Sequence, residues 1–136
     1  MRVVLDTGIL ISGLIRPRGS ISAVMQALRD GKYRVLYSNE TLIELVDVLG
    51  RDIFHTKYHI TTEDISTLLQ LIRLRGEAVV VSRHVQDCRD PKDNKFLETT
   101  LSGSADCIVT GDQDLLVPHP YQGIPILQAA DFLSRL

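Results

Sequence analysis

Cys107-Ile-Val-Thr-Gly-Asp112-Gln-Asp114 repeats, near the end of the chain, a device that opens it: Met1-Arg-Val-Val-Leu-Asp6-Thr-Gly8. In both, a short run rich in β-branched and aliphatic residues delivers a carboxylate and breaks at a turn. Such runs read as strands buried on both faces, as in a parallel sheet. Open parallel sheets bind their ligands at the carboxyl edge, where the strand order switches. Two strands that end in acid at that edge point to one acidic pocket.

Between these strands the pattern alternates helix with strand. Ile9 to Ile15 reads as a short helical turn, and Arg16-Pro-Arg-Gly19 as a loop. Ser20 is placed to cap a helix to about Asp30, and Tyr33 to Tyr37 reads as a second strand. Ser38 is a candidate cap for the next helix, Thr41-x-x-Glu44 resembles a capping box, and Leu42, Leu45, Val46 and Leu49 form its apolar stripe. Residues 51 to 60 read as partly helical. Thr61 or Thr62 then caps a long helix with Ile65, Leu68, Leu69 and Ile72 on one face; it ends at Gly76. Ala78 to Val81 reads as strand three, Ser82 to Asp93 as a polar loop, and Asp93 to Ser102 as a helix. Ile108-Val109 lies in strand four, Ile124 to Leu127 forms a short fifth strand, and Ala129 to Leu136 a terminal helix. The alternation implies an α/β sandwich with a mainly parallel sheet, in one domain over residues 1–136.

Composition sets outer limits. With 44% apolar residues, no Trp and 5% aromatics, the core has to be aliphatic. The net charge is −2, so attraction to nucleic acid has to come from local patches or bound metal. Cys88 and Cys107 are the only cysteines; Cys107 sits in an apolar run and reads as core. Two cysteines make no disulfide framework, and no apolar run is long enough to span a membrane, so a cytoplasmic protein is expected.

Four acids fall where such a sheet gathers its edge residues: Asp6 after strand one, Glu44 early in the helix after strand two, Asp93 at a helix start, Asp112 after strand four. Close carboxylates repel and take up protons unless cations intervene. Hard oxygen ligands suit Mg²⁺ or Mn²⁺, and two such ions about 4 Å apart serve phosphodiester hydrolysis. Each acid also has a plainer reading. Glu44 would be the reciprocal partner of a capping box, Asp93 an N-cap, Asp112 a turn residue and Asp6 an acceptor of backbone N–H groups. Asp87 and Asp90 read as solvated loop acids.

Taken together, Val3-Val-Leu-Asp6-Thr7, Glu44, Asp90-Pro-Lys-Asp93-Asn-Lys-Phe-Leu-Glu98 and Ala105-Asp-Cys-Ile-Val-Thr110-Gly-Asp112-Gln-Asp114-Leu-Leu resemble the PIN-domain family of metal-dependent ribonucleases. The likeness runs over nearly the whole chain and is strongest to the bacterial and archaeal subgroup grouped with toxins of toxin–antitoxin pairs. It implies a three-layer α/β/α fold and Mg²⁺ or Mn²⁺ held by Asp6, Glu44, Asp93 and Asp112, with Asp114 as an auxiliary ligand. It also implies endonuclease action on single-stranded or structured RNA, dimerisation, and inhibition by a small antitoxin. Thr7 and Thr110 fall where the family often has a hydroxyl near the metal; a turn-stabilising role is equally open. Arg16, Arg18, Lys92 and Lys95 are the candidate contacts to the RNA backbone, against the plainer reading of solvated surface charge. The competing functions are a PIN-like module that binds RNA or protein without cutting, and a metal-dependent DNA nuclease or phosphatase.

Other signals carry less. His55 and His59 are spaced like a zinc pair but lack the intervening Glu and an evident third ligand. Gly8 stands where a haloacid-dehalogenase phosphatase would need a second Asp, and strand three ends without a receiver-domain phospho-acceptor.

Overall fold

A computed structural model describes residues 1–15 and 18–136. The chain begins with β1 (Arg2–Leu5), α1 (Thr7–Ile15), α2 (Gly19–Arg29), β2 (Arg34–Tyr37) and α3 (Asn39–Leu49). It continues through α4 (Asp52–Thr56), α5 (Thr62–Arg75), β3 (Gly76–Ala78) and a 3₁₀ turn (Pro91–Asp93) into α6 (Asn94–Ser102). Then come β4 (Cys107–Val109), α7 (Gln113–Leu116), β5 (Ile126–Leu127) and α8 (Ala129–Leu133). The five strands lie in the order β3-β2-β1-β4-β5, and every pair is parallel. The sheet is therefore wholly parallel among the described residues, where sequence patterning had called for mainly parallel.

Strand order turns at β1. The chain builds outward from β1 to β2 and β3, then returns to β1's other side with β4 and β5. In the β1–β4 register Val4 lies opposite Ile108 and Leu5 opposite Val109. The next residues, Asp6 and Thr110, leave the sheet side by side at the carboxyl edge where ligands bind in open α/β sheets.

Alternation along the strands divides the core between the two faces. Val3 and Leu5 join Leu28, Leu45, Leu49, Ile72, Val109 and Phe132 under α1, α2, α3, α5 and α8. Val4 and Ile108 join Phe96, Leu97, Leu101 and Leu115 under α6 and α7. This is the three-layer α/β/α sandwich. The core is mainly aliphatic as composition requires; its buried aromatics are Phe96 and Tyr121 on one face and, on the other, Tyr33 edge-to-face against Phe132 with ring centroids 5.1 Å apart. Cys107 is buried in it, and both cysteines are free.

Three local expectations change. The α3 capping box joins Ser38 to Thr41, not Thr41 to Glu44: Ser38 Oγ accepts from Thr41 N, and Thr41 Oγ1 accepts from Ser38 N. Glu44 is thereby released from any capping duty. Ser20 caps nothing, because α2 begins one residue before it, with Arg18 at the N-cap and no side-chain cap bond. Strand three comes earlier than Ala78–Val81. A Cβ on Gly76 would meet Ile72 O at 2.2 Å and Val35 O at 2.7 Å. Only a residue without a side chain lets α5 turn straight into the sheet there. Val79 still donates its N–H to the Tyr37 carbonyl of β2 at 2.7 Å, and Val80 and Val81 then leave the ladder, with Val80 87% exposed; sheet position overrides β propensity.

Gly76→Ala is predicted to cost about 3 kcal/mol of unfolding free energy, the upper range for overpacking. Gly111→Ala, with nothing within 4 Å of the added carbon, should cost far less. Urea denaturation of the two variants checks the contrast; equal effects would contradict it.

Candidate metal centre

Asp6 follows β1 directly and is only 6% exposed. Its Oδ1 accepts the Ile9 N–H at 2.8 Å, which caps α1. Its Oδ2 accepts the Thr110 hydroxyl. That hydroxyl oxygen in turn accepts the Asp112 N–H at 3.0 Å. One threonine thus fastens the acid after β1 to the loop after β4. Burial raises the Asp6 carboxyl from its ordinary 3.8 to about 6; the Thr110 and Ile9 donors oppose this, and the Asp112 and Glu44 charges add to it.

Asp112 is exposed and stands at the N-cap of α7, where its Oδ1 accepts the Asp114 N–H at 2.9 Å. Glu44 projects from α3. Its Oε2 accepts the Thr7 hydroxyl at 2.5 Å and its Oε1 the Lys95 ammonium at 2.9 Å.

Asp93 closes the 3₁₀ turn and occupies the N-cap of α6, yet makes no side-chain cap bond. The plain N-cap reading therefore does not describe it. Its Oδ2 is buried and has no hydrogen-bond partner among the described residues. Buried polar atoms are rarely left so, and each instance asks for an explanation such as an ion or water. Burial pushes the Asp93 carboxyl well above the usual carboxylate range, and Asp112, Asp90 and Asp6 push it the same way.

Asp6, Glu44, Asp93 and Asp112 line one open cleft of about 450 Å³, together with Thr7, Gly8 and Gly111. An all-oxygen donor set with one unpaired buried oxygen fits a hard divalent cation such as Mg²⁺ or Mn²⁺. Asp114 lies outside the cleft lining. One of its oxygens comes within 4.8 Å of oxygens of Asp93 and Asp90, and its Oδ1 is paired with Arg89 Nε at 2.6 Å.

Sequence reading treated Asp90 as a loop acid and did not weigh Arg89. The signal for Asp90 was its spacing: residues three apart eclipse on a 3₁₀ turn, so Asp90-Pro-Lys-Asp93 stacks two carboxylates. Among the basic candidates, Arg18 and Lys92 are exposed, and Lys95 is paired with Glu44. Arg16 lies outside the described residues. His55 sits on α4 with its Nδ1 on the Ile60 carbonyl, and His59 lies beyond that helix at φ 55°, so the two share no helix face.

The family profile described as "PIN domain" matches residues 2–114. The uncharacterised protein MJ1680 of Methanocaldococcus jannaschii is 27% identical over 116 residues, covering 85% of this chain and 74% of that protein. Two solved structures share the fold. PAE2754 from Pyrobaculum aerophilum aligns with a TM-score of 0.63 and 14% identity, over 99% of this chain and 88% of that one. A chain of VapBC2 from Rickettsia felis, bound to a DNA fragment from their promoter, aligns at 0.59 and 13%, over 94% of this chain and 98% of that one.

An acid whose pKa rises on folding holds its proton more tightly folded than unfolded, so stability falls as pH climbs through the interval. For Asp6 the interval runs from 3.8 to about 6, worth about 3 kcal/mol. With chelator present, Asp6→Asn should therefore gain about 3 kcal/mol relative to wild type between about pH 3 and pH 7. Urea denaturation at both pH values reads this difference; a pH-independent difference would contradict it.

Proposed function

This chain belongs to the PIN-domain family, and on that premise we propose that it is a metal-dependent endoribonuclease hydrolysing RNA phosphodiester bonds. The observation that carries the reading is the set of four carboxylates lining one cleft, with a buried Asp93 oxygen left unpartnered. A binding module without catalysis has no reason to gather such charge at the cost of stability.

Asp6, Glu44, Asp93 and Asp112 would hold the cation. A bound Mg²⁺ or Mn²⁺ supplies an acidified water and neutralises charge on the scissile phosphate. The chain's own part is to keep the carboxylates in place. Thr110 ties Asp6 to the Asp112 backbone, and Thr7 orients Glu44. Asp114, braced by Arg89, supports the Asp93 side as an auxiliary acid. Exposed Arg18 and Lys92 are suited to contact RNA phosphates, with Arg16 in the same loop by sequence and Lys95 paired with Glu44 of the cleft. On a chain of net charge −2 such contacts stay local.

We further read the protein as the toxin of a toxin–antitoxin pair, held in check by a small antitoxin and able to form a homodimer. Ile43 and Val46 on α3, 67% and 46% exposed, offer apolar surface to a protein partner. Two free cysteines agree with a cytoplasmic location, and no helix among the described residues is long and apolar enough to cross a membrane.

The test offers single-stranded RNA, single-stranded DNA and a phosphate monoester to the protein, with Mn²⁺ and with chelator. Mn²⁺-dependent cleavage of RNA is expected, and Asp6→Asn should lower it roughly a hundredfold or more. RNA bound but left intact would support the binding module, and preferred turnover of DNA or monoester would redirect the assignment.

A further inference from the structure

Lys95 stands in the first turn of α6, where the helix dipole disfavours a cation. It nevertheless reaches one of the carboxylates that line the acidic cleft, with its Nζ 2.9 Å from Glu44 Oε1 and both side chains 23% exposed. An ion pair drawn this far from water adds little net stability. Exposed Lys92, three residues earlier, makes no ion pair with a carboxylate among the described residues. The second Glu44 oxygen is taken by the Thr7 hydroxyl. Each Glu44 oxygen is thus engaged by one of the chain's own donors, while Asp93 keeps a bare buried oxygen.

We propose that Lys95 is an internal counter-cation that competes with the divalent metal for Glu44. At rest, metal is held through Asp6, Asp93 and Asp112, and Glu44 joins them only when the ammonium withdraws. The proposal rests on the metal-centre reading above. Its physical content is reciprocal: two cations sharing one carboxylate each weaken the other's hold, by Coulomb repulsion and by competition for the same oxygen. Lys95 is in this sense a positioning residue, acting on the metal through Glu44. A lysine that merely braced the cleft would have the opposite effect, since its removal would loosen Glu44 and weaken metal binding.

The experiment measures Mn²⁺ binding to the full chain without RNA, by calorimetry and by the electron spin resonance of free Mn²⁺. Wild type, Lys95→Met, Lys95→Gln and Lys95→Arg are compared, with folding checked by circular dichroism. The two neutral variants should bind Mn²⁺ roughly tenfold more tightly, and Lys95→Arg should stay near wild type. In a Glu44→Gln background the change at Lys95 should tighten binding clearly less, since competition for the carboxylate is gone and only Coulomb repulsion remains; an undiminished effect would overturn the competition for Glu44. Unchanged or weaker binding in the neutral variants, with wild-type binding intact, would overturn the proposal alone. No Mn²⁺ binding by any of the proteins would overturn the metal centre, and the proposal with it.

Discussion

Parallel pairing of β1 with β4 at the centre of the sheet is the constraint from which the site follows. Its register, Leu5 opposite Val109, sets Asp6 beside Thr110. The same register sends Val3 and Leu5 into one core and Val4 into the other. A slip of one residue would exchange those faces and carry the Asp6 carboxylate out of the cleft. The aliphatic core and the acidic edge are thus two results of one strand pairing. The Thr110 hydroxyl completes it by bonding Asp6 on one side and the Asp112 N–H on the other.

Charge is concentrated at this edge at a cost. Asp6 is buried with its carboxyl raised to about 6, and Asp93 is raised by burial and by three neighbouring acids. The fold offsets part of this locally: Lys95 and Thr7 hold Glu44, and Arg89 holds Asp114. No ion pair or hydrogen bond among the described residues serves Asp93 Oδ2. Asp93 Oδ2 is therefore the buried cleft oxygen left without compensation, as expected where a cation completes the arrangement.

Much of this was legible in the chain itself. Short apolar runs ending in Asp6 and near Asp112 showed both the sheet and its acidic edge, because period and turn residues act locally. Thr61, one of the two candidate caps of the long helix, caps it for the same reason. What escaped depended on packing between distant segments. Glu44 could not be separated from a capping role until Ser38 was seen to pair with Thr41. The strand at Gly76 was displaced because its close contacts with Ile72 and Val35 belong to the folded backbone, while Val79 to Val81 carry the stronger local preference. Lys95 read as a contact to the RNA backbone or as solvated surface charge, since its partner Glu44 is 51 residues away.

Anomalous diffraction from crystals grown with Mn²⁺ tests the metal centre most directly. The account predicts a Mn²⁺ peak in the cleft within coordination distance of Asp6, Asp93 and Asp112 oxygens, with one ligand atom being the Asp93 oxygen that is otherwise unpartnered. A cleft without manganese, or manganese bound only at surface acids elsewhere, would contradict it.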